Sequence, residues 1–109
     1  MEFNCYQTQA RKTALYPGVG SNPIYPTLGL SGEAGEVADK VKKVLRDHGG
    51  VFDDLIKESI ELELGDVLWY VAQLSTELGL EMDEIANANL QKLSNRMKNK
   101  TISGDGDNR

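Results

Sequence analysis

All three prolines of the chain fall in one stretch, YPGVGSNPIYP at residues 16–26, together with two glycines. A proline ring removes a backbone N–H and clashes with the preceding helical turn, so a helix should stop before this stretch. The segment is expected to be a loop, set off from a weakly amphipathic stretch at residues 2–14. After it, apolar residues recur with helical spacing. From Leu28 to about Asp47 they stand at 30, 34, 37, 41, 44 and 45, and Gly49-Gly50 supply a stop. From Asp54 to Leu78 the same face recurs at 60, 64, 67, 71, 74 and 78, with Asp53 or Asp54 as N-cap and Gly79 as terminator. A last helix is expected from about Met82 to Lys98, turning Ile85, Ala86, Leu90, Leu93 and Met97 inward. Residues 99–109, rich in Gly, Asp and Asn, read as a flexible tail. No strand pattern of useful length appears, which predicts an all-α fold: a small antiparallel helical bundle of about four helices in a single domain, 1–109.

The 109 residues and 39% hydrophobic content suit one domain with a modest core. No apolar run approaches a membrane span, and MEFNCYQTQARK lacks the basic-then-apolar order of a secretory signal. A lone Cys5 permits no intrachain disulfide and no Cys-based zinc site, in keeping with a reducing compartment. These features predict a cytoplasmic protein with no membrane partner. The net charge of −5 argues against a basic face for nucleic acid.

Two segments share a pattern thirty residues apart: EAGEVADKV at 33–41 and ELGDVLWYV at 63–71. At 100° per residue, Glu33 and Glu36 occupy one flank of the first long helix, and Glu63 and Asp66 the matching flank of the second. Packed antiparallel, the two helices bring four carboxylates to one rim. Such a cluster costs several kcal/mol unless something positive lies between them. Oxygen-only ligands without Cys or His select Mg²⁺, with Mn²⁺ as the alternative, and Mg²⁺ is commonly shared between carboxylates and substrate phosphates. Without these four acids, twelve basic residues face thirteen acidic ones, so the negative balance belongs largely to the cluster and does not oppose an anionic substrate. The competing interpretation is a solvated helix face with pairs such as Glu36 and Lys40. Gly35 and Gly65, each costing about 1 kcal/mol in a helix interior, suggest close approach of a backbone or ligand, or small-residue helix packing.

E-x-x-E, 26 residues, then E-x-x-D on consecutive helices resembles the MazG-like nucleoside triphosphate pyrophosphohydrolases of the all-α NTP pyrophosphatase superfamily. LGLSGEAGEVADKVKK, ELGDVLWYVAQL and the closing GDGDNR carry the resemblance over nearly the whole chain. It implies that Glu33, Glu36, Glu63 and Asp66 bind Mg²⁺ and that an NTP or dNTP is hydrolysed to NMP and pyrophosphate, with a place in nucleotide-pool sanitation. It also implies that one or more of these acids orients or deprotonates the attacking water.

Candidate substrate contacts follow. Lys40 is placed to meet phosphate or to form a salt bridge, and Tyr70 to stack on a base or to stand as a rim aromatic. Lys92 and Arg96, four apart on the last helix, aim at one point, and similar basic positions in the family meet the phosphates. The SGDGDNR tail either folds over the nucleotide or is disordered; it lacks the context of a P-loop. His48 reads as a helix-terminal residue. Leu55, Leu62 and Trp69 form a second apolar line on the third helix, suggesting a subunit interface unless the first helix covers it, and the family commonly forms homodimers or homotetramers. The rival function is a non-catalytic helical interaction module; a di-iron bundle is disfavoured because the single histidine has no glutamate three residues before it.

Overall fold

The computed structural model describes residues 1–99, which form four helices: α1 (Phe3–Arg11), α2 (Ile24–Asp47), α3 (Asp54–Glu77) and α4 (Met82–Lys98). The described residues contain no strand, so the fold is all-α. The part of the expected tail beyond residue 99 lies outside them.

Helix α2 starts four residues before the expected Leu28, inside the proline cluster. Asn22 acts as the start signal, its Oδ1 accepting from the Tyr25 N–H at 3.1 Å. Pro26 then falls in the first turn, where its missing N–H would have had no intrahelical partner. The loop therefore ends at Pro23, and two of the three prolines frame a helix start. The other boundaries match expectation closely. Asp53 caps α3 by accepting from the Ile56 N–H at 2.9 Å, and Gly79 takes a positive φ of 71° just after α3 ends.

Helices α2 and α3 form the central antiparallel hairpin. Position after position along α2 meets a lower number on α3: Leu28 shares a groove with Leu74, Gly29 faces Tyr70, Glu33 faces Asp66, Lys40 reaches Glu63 and Val44 lies beside Ile56. Helix α1 packs along the C-terminal half of α3, and α4 leans chiefly on α1. The α1–α4 register is fixed by reciprocal capping: the Asn4 N–H donates to Asp83 Oδ1 at 3.2 Å, and the Asp83 N–H donates to Asn4 Oδ1 at 3.0 Å. Gln7 pins the α3–α4 turn, donating to the Leu80 carbonyl at 2.9 Å and accepting from the Met82 N–H at 2.8 Å.

The core is small. Ala10, Ala72 and Met82 are buried, with Tyr6, Leu68, Trp69 and Val71 packed around them. Several apolar positions assigned to inward faces stay open instead: Leu64 and Leu78 on α3, and Ile85, Leu90 and Met97 on α4. On α4 it is Met82 and Arg96 that are buried. The physical reason is the shape of the chain. Its radius of gyration is 16.7 Å, against about 13 Å for a compact domain of this length, so four helices spread into a flat array that leaves faces uncovered.

Candidate active site

The antiparallel pairing of α2 and α3 brings three of the four expected acids together. Glu33, Glu63 and Asp66 each present a carboxylate oxygen, and the three oxygens lie within 4.8 Å of one another. Glu33 and Glu63 are half-buried, and Asp66 is exposed. Glu36 projects from α2 one turn beyond Glu33, exposed and outside this trio. Its charge still reaches the cluster. Desolvation pushes the Glu33 carboxyl above its ordinary range, and the hydrogen bond with Glu63 and the charges of Asp66, Glu63 and Glu36 push it the same way. A proton or a cation must relieve this crowding. Carboxylate oxygens alone, clustered at this separation, are the donor set of a hard divalent ion, and this chemistry fits Mg²⁺ or Mn²⁺.

Lys40 supplies part of the compensation from the chain itself. Its Nζ lies 3.7 Å from Glu63 Oε1 and also donates to the Ser59 hydroxyl. The Lys40–Glu36 pair of the competing interpretation does not form; Lys40 instead pairs across to α3. Glu63 of α3 thus has a basic neighbour that spacing along α3 alone does not reveal.

Beside the acids opens a cavity of about 380 Å³ lined by Thr13, Glu33, Asp66, Trp69 and Tyr70. Tyr70 and Trp69 meet edge to face, their centroids 5.0 Å apart. The aromatic set continues through Tyr16, perpendicular to Trp69 at 6.3 Å and stacked on Tyr25 at 5.2 Å. The Trp69 indole N–H donates to Thr13 Oγ1 at 2.8 Å. Trp69, expected on an interface line, therefore turns toward α1 and the acid site, whereas Leu55 and Leu62 of that line stay exposed.

Tyr70 reaches this position because Gly29 has no side chain: a Cβ on Gly29 would overlap the Tyr70 ring. Gly35 and Gly65 face open space, where a Cβ would meet nothing within 4 Å, so the close approach expected of them falls to Gly29. A glycine inside an otherwise apolar helical run, Leu28-Gly29-Leu30, is the signal that could have found it.

A second feature escapes sequence pattern entirely. Glu77, in the last turn of α3 where the helix dipole disfavours negative charge, has a side chain with no solvent exposure. It accepts hydrogen bonds from the Tyr16 hydroxyl, from Arg11 at 2.9 Å, and from the backbone N–H groups of Gly20 and Asn22 at 2.9 and 2.8 Å. The Tyr16 and Gly20 bonds, with those of Asn22 and Arg11, outweigh burial and hold its carboxyl at about 2. This node fastens the 12–23 connection over the end of α3 and so fixes the Tyr16 wall.

Lys92 and Arg96 lie on α4, half-buried and buried respectively. Neither is free, and neither belongs to the lining of the cavity at Glu33 and Asp66. No described helix is long and apolar enough to cross a membrane.

Comparison with known proteins gives these features a context. The MazG nucleotide pyrophosphohydrolase domain matches residues 25–101, which take in both acidic segments. The chain is similar to the Gene 37 protein of Mycobacterium phage L5, 46% identical over 114 residues and covering all of both chains. No solved structure matches it. The antiparallel carboxylate pair of helices and the extent of the match agree: the chain belongs to the MazG nucleotide pyrophosphohydrolase domain family.

Proposed function

We propose that the protein hydrolyses a nucleoside triphosphate, NTP or dNTP, to the monophosphate and pyrophosphate, using Mg²⁺, or Mn²⁺ in its place, held by Glu33, Glu63 and Asp66, with Glu36 supporting the site from one turn away. The reading rests above all on three carboxylate oxygens within 4.8 Å of one another at the mouth of an aromatic-walled cavity. In hydrolysis the water oxygen bonds to the α-phosphorus, the bond from that phosphorus to the α,β-bridging oxygen breaks, and its electron pair leaves with pyrophosphate. The water proton passes to a carboxylate of the set. When bound, the divalent ion supplies charge neutralisation for the phosphates and acidifies the attacking water. Trp69 and Tyr70 offer ring surface for a base, Thr13 orients the indole, and Lys40 holds Glu63 while standing within reach of phosphate. Lys92 and Arg96 on α4 are further candidate phosphate contacts, carried over from the family resemblance. The open shape and the exposed Leu55 and Leu62 support a homodimer or homotetramer as the working unit, acting in the cytoplasm in nucleotide-pool sanitation. The test is product identification from a panel of canonical and modified NTPs and dNTPs, with Mg²⁺ and with chelator. Monophosphate and pyrophosphate, formed only with the cation, are expected; diphosphate and orthophosphate as primary products overturn the reading.

A further inference from the structure

The α1–α2 connection is held to α3 through Glu77. Among the described residues, every hydrogen bond between residues 16–22 and α3 ends on this carboxylate: the Tyr16 hydroxyl and the Gly20 N–H donate to Oε2, and the Asn22 N–H donates to Oε1. Packing adds little, because Tyr16 is the one buried residue of the connection and residues 17–21 are exposed. The segment is tied internally, so that it moves as a unit with its anchor. The Ser21 N–H donates to the Gly18 carbonyl at 2.9 Å, and Asn22 Nδ2 donates to the Pro17 carbonyl at 2.7 Å.

The ring of Tyr16 carries this anchorage to the aromatic wall of the cavity. It stacks on Tyr25 with the planes 9° apart and meets Trp69 edge-on, and Trp69 in turn meets Tyr70 edge-on. Burial, then Tyr25, then the Glu33 and Asp66 carboxylates push the Tyr70 hydroxyl above its ordinary range, so Tyr70 stands between Tyr25 and the acid trio. Trp69 and Tyr70 are therefore backed by two further rings, and the place of those rings is set at Glu77. Glu77 itself is outside the lining of the cavity and, eleven residues beyond Asp66, about 16 Å of helix rise from it. It can act on a bound nucleotide only through the rings. All of its partners are donors, and an amide in its place would turn an NH₂ group toward one of them.

We propose that Glu77 is a positioning residue for the base of the nucleotide: through Tyr16 and Tyr25 it holds Trp69 and Tyr70 in the geometry that stacks on the base, and it governs nucleotide affinity without acting on the phosphates. This rests on the hydrolase reading above and separates, within it, binding of the base from binding of the triphosphate.

The test is calorimetric titration of the full chain, with Mg²⁺ present, by the α,β-methylene analogues of ATP and dTTP and by inorganic tripolyphosphate, which has no base. The proteins are the parent, Glu77→Gln, Tyr16→Phe and Val44→Ala, the last removing buried apolar volume near the α2–α3 turn as a control for lost stability alone. Products of NTP hydrolysis are identified on the same preparations. Glu77→Gln is expected to raise the analogue Kd about five- to tenfold, part of what a base–aromatic stack contributes. Its tripolyphosphate Kd should stay at the parental value, and quenching of Trp69 emission by the bound analogue should weaken. Tyr16→Phe, which keeps the ring and loses one bond to Glu77, should raise the analogue Kd about two- to threefold, and it decides by itself where Glu77→Gln does not fold. Val44→Ala should melt lower and bind both kinds of probe as the parent does. Equal rises for the analogues and for tripolyphosphate, or an unchanged analogue Kd in both variants of the Glu77–Tyr16 pair, overturn the positioning role and leave the hydrolase reading standing where the parent releases monophosphate and pyrophosphate. A parent that binds neither analogue and forms no monophosphate overturns both.

Discussion

Gly29 and Tyr70 touch across the α2–α3 hairpin so closely that the glycine hydrogen occupies the only room the tyrosine ring leaves. The pairing ties one turn of α2 to the aromatic wall of the acid cavity. Gly29→Ala must displace Tyr70 or spread the helices, at a cost of about 1–3 kcal/mol, and nucleotide affinity should fall with it. Gly35→Ala and Gly65→Ala meet open space and should each stabilise the helix by about 0.5–1 kcal/mol. Chemical denaturation of the three variants separates these signs; equal effects at all three positions would remove the special role of Gly29.

Glu77 predicts an acid-sensitive end to α3. Its folded carboxyl is depressed to about 2 from an ordinary value of 4.5. The stabilisation it gives is complete above 4.5 and is lost as pH falls from there through about 2. Glu77→Gln should melt lower than the parent at neutral pH and lack this component of the acid-induced loss. Since Tyr16 packs edge-on against Trp69, the chain's one tryptophan, indole emission should shift in the variant. Parallel acid melting profiles for the two proteins would refute the role of this node.

Sequence periodicity reached the helices because each long helix has its own stop: Gly49-Gly50 and Gly79 take positive φ where the chain turns. It misplaced the start of α2 because proline at a first turn and proline within a helix look alike until the Asn22 side chain is seen to accept from the Tyr25 N–H. The meeting of Glu33, Glu63 and Asp66 was legible because two identical spacings on paired helices leave few ways to pack, whereas Glu36 stays outside the trio. Glu77 and Tyr16 were not, since their bond joins residues far apart in the chain, and no local pattern encodes such a meeting. The inward faces of α4 were misjudged for a related reason: periodicity reports which residues share a face, and not whether anything covers it.

The uncovered apolar residues yield a prediction about assembly. Leu55 and Leu62 are 78% and 69% exposed on one line of α3, a solubility cost that a second copy of the chain would relieve. Leu62→Glu should lower the sedimentation coefficient or shift the association midpoint to concentrations at least about tenfold higher, equivalent to about 1.4 kcal/mol. A parent that sediments as a monomer across the micromolar range would refute an interface on this line.

With the acid trio as proposed, stability and activity should move in opposite directions. Burial first, then the hydrogen bond with Glu63 and the neighbouring charges, raise the Glu33 carboxyl above 4.5. A raised carboxyl pKa means that ionisation is disfavoured by folding, so the metal-free protein should lose stability as pH rises through the region above 4.5, and a divalent ion should restore it. Asp66→Asn removes one of the charges that crowd Glu33 and turns one carboxylate of the trio into a neutral amide. Its metal-free melting temperature at neutral pH should rise by on the order of a few degrees, its Mg²⁺-induced thermal shift should shrink, and its turnover should fall at least about 100-fold. Glu36→Gln, outside the trio, should give a smaller stability gain and still lose turnover. Thermal melts with and without Mg²⁺, taken beside turnover for both variants, check the two directions at once; near-parental turnover in both would take these carboxylates out of the mechanism.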